Sequence, residues 1–420
     1  MHDLLTVCVI ARNEEAWLSD CLASVAPLGA SLVVVDTSSM DRTAEIARAH
    51  TDRVVTAPWT EDFAAARNRV LEEVETPWVL MLDADERLSS ADPHLVAEVL
   101  RELDLDGVAL PVLFYDGPVL LQLMRQPRLF RREGARYAGR VGENLKLPGS
   151  RWSFFPRPEL LEIHNHGHFG PGHAQRGSAN RNLSMLEDEL KRVEEPEHRT
   201  HILWQIAGEW LRIDDYPQAA NIFHLIVRNL PADAALRAPC FLGLLDALVG
   251  MARFAELLEQ ADRLLSDYPE LKVAWGRKAY ALNKLGRPAE AKEAILKGLA
   301  ATSHLTWMKG EDAGIIPAMW YDLGMTLQQL GEFPGAMYAF MKLKEEASDW
   351  QGPIPVDRLV LRLLVEAGAM GEAELLFREM SARNPQAEPA LLEDFGELGH
   401  PDFALDLMYP DKSAKVEVLQ

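Results

Sequence analysis

Three short apolar runs rich in β-branched residues constrain this chain more than anything else in it: L-L-T-V-C-V-I-A from Leu4, S-L-V-V-V-D from Ser31 and W-V-L-M-L from Trp78. Each is too short for a buried helix and lacks the alternation of a half-exposed strand, so each reads as a strand covered on both faces. A fourth run spans residues 53–57, and 3.6-residue periodicity predicts helices over 14–25, 41–50 and 62–74. Strands alternating with helices in this way mean βαβ units around a parallel sheet. The expected fold class is therefore α/β, Rossmann-like, for the N-terminal domain.

The pattern changes along the chain. Between residues 106 and 170, short strands at 107–114, 127–130 and 152–155 are separated by Pro and Gly. The Leu-spaced, charged stretch 174–195 predicts one long helix, ended by Pro196. Beyond residue 200 the chain reads as all helix. Trp275, Ala279, Leu282, Gly286, Ala291 and Ile295 align with Trp320, Leu323, Leu327, Gly331, Ala336 and Phe340 as a tetratricopeptide pattern, about five helix pairs of ~34 residues each. Residues 300–317 read as an insertion between two repeats. The expected division is 1–172 for the catalytic-type α/β domain, 173–198 for a connecting helix, 199–400 for an all-α solenoid and 401–420 for a tail.

A net charge of -21 argues against general affinity for nucleic acid or anionic lipid, which need a basic face. A local groove around Arg125, Arg128, Arg131, Arg132, Arg136 and Arg140 stays open. The three cysteines, Cys8, Cys21 and Cys240, lie in strand or helix patterns and read as buried thiols. No leader sequence is evident and no window reaches ~18 consecutive apolar residues, so a cytoplasmic, bacterial-type protein is expected.

The chemistry is expected at the carboxyl ends of the parallel strands, where open α/β sheets hold their ligands. Asp83 and Asp85 follow the run from Trp78, and a pair of carboxylates there suits a hard divalent cation. Three further polar loops fall at the same edge: A-R-N-E-E from Ala11, D-T-S-S from Asp36 and W-T-E-D-F-A-A-A-R-N from Trp59. A nucleotidyltransferase would need a glycine-rich phosphate loop after the first strand, and A-R-N-E-E contains no glycine.

These motifs, V-I-A-R-N-E-E, V-V-V-D-T-S-S-x-D-R-T, W-T-E-D-F-A-A-A-R-N, L-D-A-D-E and R-L-F-R-R-E-G-A-R-Y-A-G-R-V-G-E-N, occur in order over about residues 4–195. Together they resemble the inverting family 2 glycosyltransferases of GT-A fold, most closely the branch with C-terminal tetratricopeptide repeats that includes bacteriocin S-glycosyltransferases. The resemblance implies hexosyl transfer from a UDP-sugar, with Mn²⁺ or Mg²⁺, to a peptide or protein acceptor presented by the repeats. Acceptance by a saccharide or lipid-linked intermediate, and an inactive scaffold binding a partner through its repeats, are the alternatives. A homodimer is a further expectation.

Residue by residue, the resemblance implies that Ala11, Arg12, Asn13 and Glu14 line the nucleoside with Ser38 and Ala84. It implies that Asp36 accepts from the base and Arg67 reaches the uridine or diphosphate. Asp85 would hold the metal, with Asp83 on it directly or through sugar or water. Glu143 in R-V-G-E-N is the expected base, with Asp116 and Glu162 behind it; Gly142 stands where the related motif often has His. His164, His166 and His168 share one face if extended, and an imidazole, His166 in the expected set, would complete the metal's coordination or touch the diphosphate.

Overall fold

A computed structural model describes residues 1–408 apart from 91, 117–118, 150, 167–171, 232–233, 303–311, 348–353 and 385–387. Two compact units result, Met1–Ala252 and Arg253–Gln420.

In the first unit the apolar runs become β1 (Leu5–Ala11), β2 (Ser31–Asp36), β3 (Val54–Thr56) and β4 (Trp78–Asp83), alternating with α1 (Leu18–Val25), α2 (Thr43–His50) and α3 (Phe63–Leu71). Then come β5 (Glu86–Ser90), α4 (Pro93–Glu102), β6 (Gly107–Asp116), β7 (Val119–Arg131), β8 (Arg136–Ala138), β9 (Asn144–Lys146), β10 (Trp152–Phe154) and β11 (Leu161–Asn165). Among the described residues the main sheet runs β3-β2-β1-β4-β7-β6-β11-β5, with β10 also on β6, while β8 and β9 form a separate ribbon. β1 to β4 are mutually parallel, β7 is antiparallel to both β4 and β6, and β5 is antiparallel to β11.

Alternation along each strand divides the core in two. Val7 and Val9, with Trp78, Leu80 and Leu82, face α1 and α4. Cys8, Val33, Val35, Val79 and Met81 face α3 and Tyr137 on β8. Both faces being covered explains why these runs are continuously apolar. All three cysteines are buried and unpaired, and burial pushes the Cys8 thiol up to about 12.

Helices follow: α5 (Gly172–Arg192), α6 (Pro196–Arg212), α7 (Tyr216–Asn229) and α8 (Arg237–Gly250) in the first unit. The second unit holds α9 (Phe254–Asp267), α10 (Lys272–Lys284), α11 (Pro288–Ala300), α12 (Asp312–Gln329), α13 (Phe333–Glu346), α14 (Val356–Glu366), α15 (Met370–Arg383), α16 (Glu388–Glu397) and α17 (Pro401–Met408). Two prolines differ from expectation. Pro196 opens α6, where a missing N–H costs nothing, and Pro317 lies inside α12 instead of an inserted loop.

The turn within each repeat has one backbone signature. Asp214, Ala252, Gly286, Gly331, Gly368 and Gly399 all adopt positive φ, between 53° and 85°. The next residue usually donates back across the turn: Arg287 N–H to Leu282 O at 2.9 Å, Glu332 to Leu327 and His400 to Phe395 at 2.8 Å. This left-handed cap recurs six times among the described residues, one more than the sequence pattern suggested. In the second unit Ala279, Leu282, Ala291, Ile295, Met319, Leu323 and Phe340 share one core. No described helix is long and apolar enough to cross a membrane.

At Gly331, φ is 73° and an added Cβ would meet nothing within 4 Å. Gly331→Ala should therefore cost only the left-handed backbone term, about 1–2 kcal/mol, read as a lower urea midpoint. An unchanged midpoint would contradict the shared-turn account.

Candidate active site

Parallel register aligns the functional edge. Ala11 on β1 sits opposite Asp36 on β2, and Ile10 sits opposite Asp83 on β4. β1 is also where the order switches, with β2 and β3 on one side and β4 on the other, the position at which a crevice opens in such sheets.

The two loops at this edge are stitched together. Asn13 adopts φ 56° and Ser38 φ 62°. Asn13 N–H donates to Ser39 Oγ at 2.9 Å, and Met40 N–H donates to Asn13 Oδ1 at 2.8 Å. Glu14 N–H donates to Thr43 Oγ1 at 2.7 Å. Asp36 is buried and accepts from Ser39 N–H at 3.2 Å, while Thr37 donates to the Ala11 carbonyl. Ser38 Oγ reaches the Ala57 carbonyl at 3.2 Å, and the exposed Arg12 stacks over Trp59 at 5.4 Å. Ala84 is buried between the two acids.

Strand parity places Asp83. It continues the Val79–Met81 row onto the α3 face, where α3, capped by Asp62 accepting from Ala65 N–H at 2.8 Å, supplies the buried Arg67. On β7, Arg128 lies two residues before Phe130 and on the same face. Arg67 Nη2 donates to Asp83 Oδ1 at 2.7 Å and Arg128 Nη2 to Asp83 Oδ2 at 2.8 Å. Arg128 Nη2 also donates to Glu86 Oε1 at 2.7 Å, and Glu86 Oε2 accepts from Asp83 N–H at 2.9 Å. Arg67 Nε pairs with Glu143, and its guanidinium lies over the Tyr137 ring at 5.5 Å.

Burial alone would raise the Asp83 carboxyl, but the two guanidiniums overcome it and hold Asp83 well below the usual range. Glu86, with no solvent exposure, goes the other way: burial raises it against Arg128. Each oxygen of Asp83 thus accepts from an arginine.

Asp85 and Glu14 stand in contrast. Neither makes an ion pair among the described residues. Burial, then the charge of Asp83, pushes each up to about 7, and Asp85 also feels Glu14. Asp85 Oδ1 accepts from Asn165 Nδ2 at 3.3 Å, and its carbonyl accepts from His166 N–H at 3.3 Å. Since Asn165 points to Asp85, its neighbours on the strand point away. His164 and His166 both stack on Tyr115, at 5.4 and 5.1 Å. The imidazole of His166 is therefore on the other face from the acids, a correction to its expected role as metal ligand. His168 lies outside the described residues, and so does any account of the Asp116 side chain. Glu162 lies 3.7 Å from His164, on the histidine side. Among the described residues no group of three His, Cys, Asp or Glu side chains forms a ready metal cage.

Several arginines of the cluster are taken up by the protein itself. Arg131 lies over Trp78 and donates to Leu103 O, Arg132 donates to Leu71 O, and Arg140 pairs with Glu61. Arg128, Glu86 and Asn165 were missed as site residues. Only the pairing of β7 with β4, fixed by Leu80 opposite Leu129, would have pointed to Arg128.

Comparison with known proteins now has a geometry to meet. The family model described as glycosyl transferase family 2 matches residues 6–156, spanning every motif above from Ala11 to Glu143. Those residues form a family 2 glycosyltransferase domain. Among similar proteins, a TPR repeat-containing protein of Synechococcus elongatus is 32% identical over 44% of this chain and 47% of its own length. The lipopolysaccharide core biosynthesis glycosyltransferase LpsC of Rhizobium meliloti is 34% identical over 32% of this chain and 53% of its own. The prophage-derived glycosyltransferase SunS of Bacillus subtilis is 27% identical over 44% and 45%. The chain spans about half the length of these curated relatives.

Two outcomes follow for the glycosyltransferase domain. Arg128→Met strands Asp83 and Glu86 in a buried place and should cost about 3–5 kcal/mol in denaturant unfolding, with Glu86→Gln in addition restoring part of it. A variant as stable as wild type contradicts the network. Asp85, raised in the folded state, binds its proton more tightly folded than unfolded, so its contribution to stability is full below its unfolded value and lost as pH rises towards about 7. In metal-free buffer Asp85→Asn should melt higher than wild type at pH 8 and equally at pH 4, and a gap of opposite sign would contradict this.

Proposed function

We propose that the chain is a metal-dependent inverting glycosyltransferase that moves a hexose from a UDP-sugar to a peptide or protein side chain. The observation that carries this is the contrast at one crevice: Asp83 is paired with two arginines, while Glu14 and Asp85, raised to about 7 by burial and then by the charge of Asp83, form no ion pair among the described residues. Oxygen donors with excess negative charge fit Mg²⁺ or Mn²⁺. Asp85, with Glu14 beside it, would hold that ion, which when bound neutralises the charge gathering on a departing diphosphate.

The chain's own residues do the rest. Asp36 accepts from the imide N–H of uracil, and the loop from Ala11 through Glu14, with Ser38 and Ala84, lines the nucleoside. Arg67 keeps one buried N–H, on Nη1, without a protein partner, a donor available to the nucleotide. Glu143 spends Oε1 on Arg67 and keeps Oε2 to take the acceptor's proton. The acceptor heteroatom bonds to the anomeric carbon as the bond to the diphosphate oxygen breaks on the opposite face, so the configuration inverts. The helical repeats support a peptide acceptor, since stacked helix pairs suit extended chains. A saccharide acceptor is the second reading, favoured by LpsC, whose name places it in lipopolysaccharide core synthesis.

Incubation with UDP-[¹⁴C]glucose, UDP-galactose or UDP-N-acetylglucosamine, Mn²⁺ and bacterial extract tests this. Label should enter a protease-sensitive product, and Asp85→Asn should lower transfer by about 10²–10³-fold. Label in a protease-resistant glycan removes the peptide reading. Absence of UDP release from every donor, or full turnover in EDTA, removes the metal-dependent transferase.

A further inference from the structure

The loop carrying Glu143 is held from outside the domain that the family model covers. Its backbone is loose by composition: Gly139 and Gly142 flank Arg140 and Val141, with φ 97° and 59°. On one side it is tied to the start of α3, where Phe63 N–H donates to the Arg140 carbonyl at 2.9 Å. On the other side the tie comes from α6, the first helix after the long α5. Gln205 Nε2 donates to the Val141 carbonyl at 3.0 Å and to the Gly142 carbonyl at 3.2 Å. The same amide occupies the space a Cβ on residue 142 would take, so glycine there and glutamine on α6 fit one another.

Apolar packing reinforces the tie. Val141 is buried in a cluster with Leu183, Met185 and Leu186 of α5 and Ile202 and Ile206 of α6, with Trp59 and Phe63 packed against it. Glu143 leaves the loop two residues after Val141 and reaches Arg67. Its position is thus set at Arg140 by α3 and at Val141–Gly142 by α6.

We infer that Gln205 is a positioning residue for glycosyl transfer, fixing the 139–143 loop so that the free oxygen of Glu143 meets the acceptor's proton. The inference rests on the transferase reading above. A carboxylate that acts on the acceptor only as the bond forms affects turnover, while donor contacts at Asp36 and the Arg67–Asp83 pair stay in place. Gln205 reaches no reacting atom and works through Glu143.

The test uses the full chain with UDP-glucose, Mn²⁺ and bacterial extract, reading UDP release, together with hydrogen–deuterium exchange of the peptide containing residues 139–146. Gln205→Ala should expose the loop to exchange and lower kcat about tenfold, with the KM for UDP-glucose within about twofold. Gln205→Lys, which keeps a donor for the two carbonyls, should recover most of both; Gln205→Glu, the same size without the donor, should not. In a Glu143→Gln background the Gln205→Ala loss should shrink, because both changes act through one carboxylate. Wild-type kcat in Gln205→Ala, unchanged exchange, or full additivity with Glu143→Gln overturns the inference. Failure of wild type to release UDP overturns instead the transferase reading, and exchange then still reports whether Gln205 holds the loop.

Discussion

Everything at the crevice depends on one half-buried carboxylate shared by two buried guanidiniums. Asp83 terminates β4, Arg67 comes from α3 and Arg128 from β7, so this contact joins a helix and two antiparallel neighbours at the point where the sheet order switches. Ions in such a place lose hydration worth several kcal/mol each, and they are tolerated only when geometry and further hydrogen bonds replace it. Here nearly all are replaced: Glu86 takes Asp83 N–H and Arg128, Glu143 takes Arg67, and Tyr137 covers the Arg67 face. Three carboxylates facing two guanidiniums leave one negative charge in excess, which is why burial pushes Glu86 towards its neutral form while Asp83 stays ionised.

That arrangement divides labour within three residues of sequence. Asp83 is held by the protein, one oxygen on each arginine. Asp85, beyond the end of β4, accepts from the Asn165 amide, a neutral donor that orients it without neutralising it. Burial, and then the charge of Asp83 nearby, works against ionisation of Asp85 and Glu14, and both rise to about 7. A crevice built in this way gathers carboxyl groups whose ionised forms are disfavoured by burial and by one another.

How much of this the residues announce depends on whether the cause is local. β1, β2 and β4 are visible because burial on two faces leaves a continuous apolar run, and the carboxyl-edge loops follow from them. Arg128 is invisible by the same logic: in R-L-F-R-R nothing local separates it from Arg131 or Arg132, and only the register of β7 on β4 sends it to Asp83. The histidines show the complementary failure. Their i, i+2 spacing correctly put His164 and His166 on one face, but which face is decided by pairing with β5 and β6, and Asn165 between them won the side facing Asp85.

The helices after residue 172 belong to the same problem. The family model ends at residue 156, yet the compact unit continues to Ala252. The apolar face of Val141, Trp59 and Phe63 has no cover within residues 6–156 in that cluster; it is Leu183, Leu186, Ile202 and Ile206 that bury it. Burying those side chains removes apolar area from water, and the stabilisation scales with that area. It is spent on a loop with two glycines and one candidate base. A domain that ended at the last strand would keep the loops after β1 and β2, which are stitched to one another, and lose definition in the 139–143 loop. Helices α5 and α6 are therefore part of the wall that holds the 139–143 loop.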